Sequence, residues 1–425
     1  MTIRSSSSHS LQVRLAEKVT GSLTLLAVAG LVSCSSDVTP TPATTVRDSA
    51  GVRIVENGTP RWSTSTVAWT LDSFPTSEIE GDPGNGEYFL HAVRAVHVMG
   101  DGRIMVANHG TRQLFAFDAS GGFKEAIGQE GEGPGEFSAL FDMFRCIGDT
   151  LLVYEGVRVS ILDAQGRFVR TELVSGRLGD GHGNMEAVSS DCKVILLAND
   201  EYRPPSPGQG VHQLPHVLHW SALDGSARDT VLVFPGVELF PWKMQGQLLS
   251  NRLPFGKAPV WASDGDRVYF GSASEFEVSI FERQGRVREI VRWAAEPQPV
   301  TRADRNQYGE RRERFIRKWP SETDFHAPLD HFPVPDFMPA YAGLLVDDEG
   351  NLWVQQYRIT GAFAPTRAED SWWVFEPTGQ WLGTVRTPLG FEVLGIQNGL
   401  VVGVFEDEDE VQHIQLFRLN KGDDG

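Results

Sequence analysis

LFAFDASGGF (residues 114–123) is an apolar run, a polar pair, a glycine, and then a chain that resumes as a strand. The same order returns in VSILDAQGRF (159–168), HWSALDGSA (219–227), VSIFERQGRV (278–287) and WWVFEPTGQW (372–381). The aligned glycines are Gly121, Gly166, Gly225, Gly285 and Gly379, spaced by 45, 59, 60 and 94 residues. Glycine supplies the positive φ that a tight turn between antiparallel strands demands. Each stretch therefore reads as one hairpin of a repeated unit.

A second strand pair lies upstream of the hairpin, most clearly in VRAVHVMGDGRIMVAN (93–108), WASDGDRVYFGS (261–272) and LLVDDEGNLWVQQY (344–357). DGR, DGDR and DEGN are turn signals between apolar, β-branched runs. A unit of four strands buries its faces only by stacking on its neighbours, and units of this size recurring every 40–50 residues or so predict a β-propeller. Insertions account for the longer spacings. The sixth unit, FEVLGI, LVVGVF and VQHIQLFRL (391–396, 400–405, 411–419), supplies three strands before the chain ends. The expected fold is all-β, a six-bladed propeller with an N-terminal strand from TVAWTLD (66–72) closing the last blade and GVRIVEN (51–57) adding a short strand nearby. One helix is expected at 302–319, because Tyr308, Phe315, Ile316 and Trp319 fall on one helical face. Its other face carries Arg311, Arg312, Arg314, Arg317 and Lys318, a basic patch suited to an acidic partner.

Residues 1–33 have the form of an export signal, with Arg4, Arg14 and Lys18 before a short apolar core from Leu23 to Val32. Leu31-Val32-Ser33-Cys34 resembles the lipobox of bacterial lipoproteins. That resemblance implies cleavage before Cys34, lipidation of Cys34, and, with Ser35 following, an outer-membrane or cell-surface location. Residues 34–48 then read as the lipidated cysteine and a Ser/Thr/Pro-rich tether, 49–420 as the propeller, and 421–425 as a tail. Removing 1–33 leaves 35 basic and 55 acidic residues, a net charge of −20. Such a surface disfavours nucleic acid as a partner. Cys146 and Cys192 each precede an apolar run, which leaves a disulfide and two buried thiols both open.

MVANHGTRQLFAFDASG resembles the NHL-type repeat. RDSAGVRIVEN, GQEGEGPGEF, RLPFGKAPVW and LLVDDEGNLWV together resemble six-bladed propeller lipoproteins and exported proteins of bacteria, over about residues 47–420. The resemblance implies the fold and export, and says little of activity, since one fold hosts many functions.

GQEGEGPGEF (128–137) lacks the Lys and Ser/Thr of a phosphate-binding loop, and Glu130, Glu132 and Glu136 repel phosphate. It reads as a connector between blades. The loops after the second strands open on the face where propellers usually meet ligands. They carry Asn108 and His109, Tyr154 and Glu155, Asn199, Asp200 and Glu201, Ser272, and Gln356 and Tyr357, with Arg112, Arg158, Arg203 and Arg358 following. This ring is the candidate ligand site at the channel mouth. The sixth equivalent loop, Glu406 to Glu410, reads as a solvated acidic turn. In lactonase-like and paraoxonase-like propellers, which share this fold class, Glu, Asn and Asp hold calcium. Glu155, Asn199 and Asp200 have the matching types, so the resemblance implies calcium as a cofactor if the chain is such a hydrolase. His182, Asn184 and Glu186 fall in a segment expected to be a crossing loop, and His212, His216 and His219 lie among prolines without zinc spacing. Phe240, Trp242, Met244 and Phe255 mark the 234–260 insertion as a lid or an apolar contact.

The expected function is that of a monomeric, lipid-anchored binding or protein-interaction module for a small molecule, glycan, peptide or envelope protein. The alternatives are a calcium-dependent lactonase or esterase-like hydrolase and a scaffold subunit of an envelope complex.

Overall fold

In the second and third strands of the repeat the apolar residues run continuously instead of alternating. Ile104–Asn108 is buried at every position, as is Leu151–Tyr154, whereas the outer strand Phe123–Ile127 has no buried residue. Continuous burial means that both faces of the middle strands are covered by protein. A computed structural model of the chain shows what covers them. It describes residues 44–63, 68–82, 84, 86–174, 183–200, 210–244, 247–318, 329–358 and 369–422.

Six antiparallel sheets stand in a ring. In each, the first strand is innermost and chain order runs outward. Blade one is Val93–Val98, Ile104–Asn108, Gln113–Phe117 and Phe123–Ile127. Blade two is Asp142–Arg145, Leu151–Tyr154, Arg158–Leu162 and Phe168–Leu173. Blade three is Gly183–Val188, Val194–Asp200, Pro215–Ala222 and Arg228–Pro235. Blade four is Val260–Ser263, Arg267–Gly271, Glu277–Glu282 and Val287–Trp293. Blade five is Tyr341–Val346, Leu352–Gln356, Ser371–Phe375 and Trp381–Arg386. Blade six has Phe391–Gln397, Leu400–Glu406 and Gln412–Asn420 from the C-terminal end.

Each neighbouring pair of blades shares its own apolar cluster. Leu114 and Ala116 of blade one meet Met143 and Val153 of blade two. Leu152 and Ile161 meet Met185 and Leu197, and Leu196 and Trp220 meet Val268 and Phe281. Val278 and Val291 meet Leu352 and Val354, while Trp353 and Val374 meet Val401 and Phe417. The ring closes where Val402, Val404 and Ile414 of blade six meet Phe115 and Phe117 of blade one.

The N-terminal region completes blade six, but differently from the sequence expectation. Thr70–Leu71, inside the expected strand, pairs only with Leu419 and Asn420. Ser77–Ile79 pairs with Ile414, Gln415 and Leu416 and supplies the rest of the outer strand. Gly81 was the missed clue: it sits so close to the Gln412 carbonyl that a Cβ would overlap it. Val52–Asn57 lies two blades away from this closure. It runs parallel to Val287–Trp293 and extends blade four outward, with Thr44–Ser49 folded back on it. The expected tether thus already forms a strand at Thr44. Asn57 is the reason for this docking. Its Nδ2 donates to the carbonyls of Arg292 and Gly379, each at 3.0 Å, and its Oδ1 accepts from the Trp381 amide at 2.9 Å. One buried side chain thereby fastens blade four to blade five.

The repeat glycines have φ between 77° and 89°, as tight turns require. Several also mark close approaches. A Cβ on Gly121 would fall 2.7 Å from the Glu78 carbonyl oxygen of blade six, and one on Gly285 would fall 2.6 Å from that of Val231 in blade three. Each turn therefore nests against the outer strand of the preceding blade. Gly399 has φ 70° and no atom within 4 Å of a built Cβ. Gly399→Ala should cost only its backbone strain, about 1–2 kcal/mol. Gly285→Ala should cost a further 1–3 kcal/mol or so from overpacking. Denaturant unfolding of the two variants checks this, and equal losses would contradict the nesting.

The expected helix is α1, Arg302–Lys318, in the insertion between blades four and five. Thr301 and Asp304 cap it reciprocally: the Thr301 amide donates to Asp304 at 2.9 Å, and the Asp304 amide to Thr301 Oγ1 at 3.2 Å. Tyr308 is buried, and Phe315 and Ile316 are half-buried. Trp319 lies outside the described residues. The 234–260 insertion forms a hairpin, Leu239–Met244 with Gln247–Arg252. No helix among the described residues is long and apolar enough to cross a membrane.

Candidate functional site

The ring of residues expected at the channel mouth is largely a set of fasteners. Asn108 is fully buried; its Oδ1 accepts from the His91 amide at 2.8 Å, and its Nδ2 donates to the Phe89 carbonyl and Thr111 Oγ1. Glu155 is buried and its oxygens are occupied. They accept from the Ser138 amide and hydroxyl, Ser160 Oγ at 2.7 Å, and the Arg158 guanidinium at 2.8 Å. Arg158 also donates to the carbonyls of Gly131, Glu132 and Glu136, and Arg112 pairs with Glu130. Two predicted site arginines therefore clamp GQEGEGPGEF, the crossing from blade one to blade two. Phe137, at its end, is plugged into the cluster between those blades. Arg358 likewise pairs with Asp370 across its own loop, and Gln355 donates to the same carboxylate at 3.0 Å.

The remaining members are dispersed. His109 stacks near Phe141, which also touches Tyr154, so these two predicted residues share one aromatic neighbour. Tyr357 sits under α1 beside Tyr308, and burial pushes its hydroxyl up to about 12. Asn199 and Asp200 end the second strand of blade three, paired in register with Val217 and His216. Arg203 and Cys34 lie outside the described residues, as do Glu201 and His182. Among the described residues, no group of three or more His, Cys, Asp or Glu side chains is arranged to hold a metal ion. Of the expected calcium trio, Glu155 is committed to Ser138, Ser160 and Arg158. In the acidic turn 406–410, Asp407 accepts from the Asp409 and Val411 amides and from His413.

A different place gathers unabsorbed chemistry. The first strands of all six blades and the turns that follow them line an open axial cavity of about 750 Å³. That volume is typical of small-molecule sites. The carboxylates around its mouth are mostly spent on the fold. Asp264 pairs with Arg267 at 2.7 Å and Asp266 with Arg283 at 2.8 Å. Asp347 accepts from the Asn351 amide and the Trp353 indole, and Asp348 accepts from the Asn398 amide of blade six. His97 bonds the Met143 carbonyl of blade two at 2.9 Å, and burial holds its ring below the usual histidine range, hence neutral. Ile147 donates to the Ser190 carbonyl, and the Cys146–Cys192 disulfide, with Cα atoms 5.7 Å apart, ties the same two blades.

Glu186 differs from these. It belongs to the inner strand of blade three, not to a loop as its sequence context suggested. The ladder slips by one residue at Glu186, between Met185 and Ala187, and such a bulge re-aims a side chain. Glu186 lines the cavity and meets a neutral donor: the Trp261 indole of blade four donates to Oε2 at 3.2 Å. Desolvation raises its carboxyl above the ordinary range. Asp142, first residue of the inner strand of blade two, is pushed up to about 7, mainly by desolvation, with the Met143 amide on its Oδ1 and Arg94 opposing the rise and Glu186 adding to it. Asp142 is half-buried, paired in register with Tyr154 of the second strand, and its carboxyl lies near enough to Glu186 for the two charges to repel. Arg94 also stands at an inner-strand bulge, between Val93 and Ala95. Sequence reasoning passed over Asp142, Arg94 and Trp261. The available signal was a charged residue interrupting an innermost strand, where one face has only the channel to look into.

Residues 86–162 match a protein family described as a 6-bladed beta-propeller. The chain is also similar to the crystal structure of a member of the duf4221 family from Bacteroides vulgatus, at 12% identity over 84% of this chain and 100% of that one, with a TM-score of 0.52. Weaker likenesses include a Bacteroides fragilis protein described as exported (13% identity, 87% and 100% covered, TM-score 0.44). A gluconolactonase from Xanthomonas campestris is similar at 13% identity, with 84% and 99% covered and a TM-score of 0.36. At such identities the likeness concerns the fold alone. No curated protein sequence matches the chain. The molecule is a six-bladed β-propeller of four-stranded blades with a single inserted helix among its described residues.

The two clamping arginines make a test of the site's structural half. Glu155 has no exposed side-chain surface, whereas Glu130 is 71% exposed. Arg158→Ala strands a buried charge and should cost about 3–5 kcal/mol. Arg112→Ala breaks a surface pair and should cost less than about 1 kcal/mol. Thermal unfolding of both variants measures the difference.

Proposed function

We propose that the chain is a ligand-binding propeller whose axial channel takes a small organic cation, with Glu186 and Asp142 as its counter-charge. One observation carries this reading: Glu186 lines a 750 Å³ cavity and accepts its hydrogen bond from a neutral indole N–H instead of an arginine. Nearly every other carboxylate at that mouth is consumed by a turn or an arginine. An ammonium group would replace the water that the enclosed carboxylates lack, and Trp261 beside Glu186 offers an aromatic surface to it. A metal ion would ask for more oxygen ligands than this pair provides. We further propose that the protein is exported and anchored through Cys34. The Cys146–Cys192 disulfide suits an oxidising compartment, and a shift of Cys34→Ser protein from membrane to soluble fractions would test the anchor.

Calorimetric titration with aliphatic amines and quaternary ammonium ions, against the matching neutral alcohols, tests the channel. Amines should bind and alcohols should not. Glu186→Gln should weaken binding at least about tenfold, the value of one lost charge-assisted bond. A cation favours the ionised form of Asp142, whose pKa lies near 7, so affinity should rise from pH 6 to pH 8. Equal binding of alcohols, or affinity indifferent to both Glu186 and pH, would remove the reading. Asp142 also gives the hydrolase alternative its foothold, since a carboxylate titrating near neutrality can take a proton from water. Lactone turnover abolished by Asp142→Asn would move the assignment there.

A further inference from the structure

A second cavity, of about 560 Å³, lies outside the channel where the two insertions meet. One side comes from the loop that follows the Leu239–Met244/Gln247–Arg252 hairpin, through Pro254 and Phe255; the other comes from α1 and the 330–334 segment. The two insertions hold each other through aromatic contacts. Phe240 lies 5.8 Å from Phe332, Trp242 4.7 Å from His331, and Phe255 5.4 Å from Tyr308 between ring centres. The base of the α1 insertion is zipped shut, with the Val300 amide donating to Asp336 and the Met338 amide to Gln298. The cavity is therefore framed by built structure.

Its lining divides by chemistry. Pro254, Phe255 and Phe332 are buried and form an apolar floor, with Val334 beside them. Arg302 and Arg305, one turn apart on α1, supply the basic wall. Elsewhere on the blades arginines are routinely paired, as at Arg53, Arg170 and Arg286. Arg302 and Arg305 have no carboxylate within ion-pair distance among the described residues, in a chain with 56 acidic and 38 basic residues. Asp330, on the other side, is already bonded to His331 at 3.1 Å. The backbone amides at the start of α1 are not the attraction, since Thr301 and Asp304 cap them.

Phe255 adds an independent observation. The turn Leu253-Pro254-Phe255-Gly256 is closed by the Gly256 amide on the Leu253 carbonyl at 2.9 Å. Phe255 occupies its third position with φ +58°, where glycine is favoured and a bulky side chain is strained. A glycine stands one residue later, so the chain keeps a phenyl ring at a strained place where a glycine would relieve it. Such strain collects at ligand-contacting positions. The ring forms part of the cavity floor.

We infer that this cavity binds an amphipathic carboxylate, its apolar body on Phe255 and Phe332 and its carboxylate on Arg302 and Arg305. The site is separate from the channel, and its test is independent of Glu186. The probe is decanoate, with decanol as the uncharged match, titrated into the full-length protein. Wild type should bind decanoate about tenfold or more tightly than decanol, because two guanidiniums recognise the head group. Arg302→Gln/Arg305→Gln should lose that preference and leave decanol binding as it was. Phe255→Gly removes a buried ring and should lower the melting temperature while weakening both probes, whereas the double arginine variant changes only exposed side chains and should leave the melting temperature as it was; this separates a lost head-group contact from a misfolded protein. No decanoate binding by wild type, equal affinity for the two probes, or decanoate affinity untouched by the double arginine variant would each overturn the inference.

Discussion

Blade six is built from both ends of the chain, and everything else in the molecule depends on that closure. Ser77–Ile79 lies against Gln412–Asn420 and supplies the outer wall on which blade one rests, with Gly121 seated on the Glu78 carbonyl. An open ring would leave the apolar faces of blades one and six in water. Every shared cluster is sandwiched between two sheets, so losing one interface loosens its neighbours. Asn57 performs a related task at blades four and five, with one side chain bonded to both.

Closure also creates the channel's electrostatics. Six inner strands converge on one axis, and burial among them costs the carboxylates of Asp142 and Glu186 part of their solvation. At Asp142, a rise to about 7 from an ordinary value near 3.8 corresponds to roughly 4 kcal/mol between its charged and neutral forms. The folded value is the raised one, so this cost is absent below about pH 4 and complete above about pH 7. The fold spends arginines and amides on the carboxylates of the turns, yet gives Asp142 the Met143 amide and Glu186 the Trp261 indole. A stability-optimised propeller would place apolar residues there, as blade six does with Leu394 at its equivalent bulge.

The architecture was legible because its cause is local and repeated. A glycine between two apolar runs means a hairpin wherever it occurs, and five such hairpins leave few folds to choose from. The closing strand was harder to read. Ser77–Ile79 is three residues long, and its pairing partner lies more than 330 residues away, so nothing in its own neighbourhood marks it. Val52–Asn57 reads correctly as a strand, but its place beside blade four rests on Asn57 meeting Gly379 and Trp381, which sequence spacing does not encode. The candidate site was only partly legible. Asn108, Glu155 and Arg158 have the residue types of a ligand site because buried fasteners and binding sites draw on the same polar side chains. Burial separates the two uses, and burial of a polar residue at a strand end cannot be read from its letter. Asp142 and Glu186 look ordinary in sequence; their character comes from burial that exists only after distant inner strands have met.

The measurement closest to this account is a carboxyl carbon NMR titration that follows Asp142 from pH 3 to pH 9 in the intact protein. Burial beside Glu186 predicts a midpoint near 7, falling toward the ordinary range when Glu186 is replaced by Gln only by the part that Glu186 contributes. A midpoint near 4 in the wild-type protein would mean that water fills the channel freely, and the channel carboxylates would lose their claim to be the site.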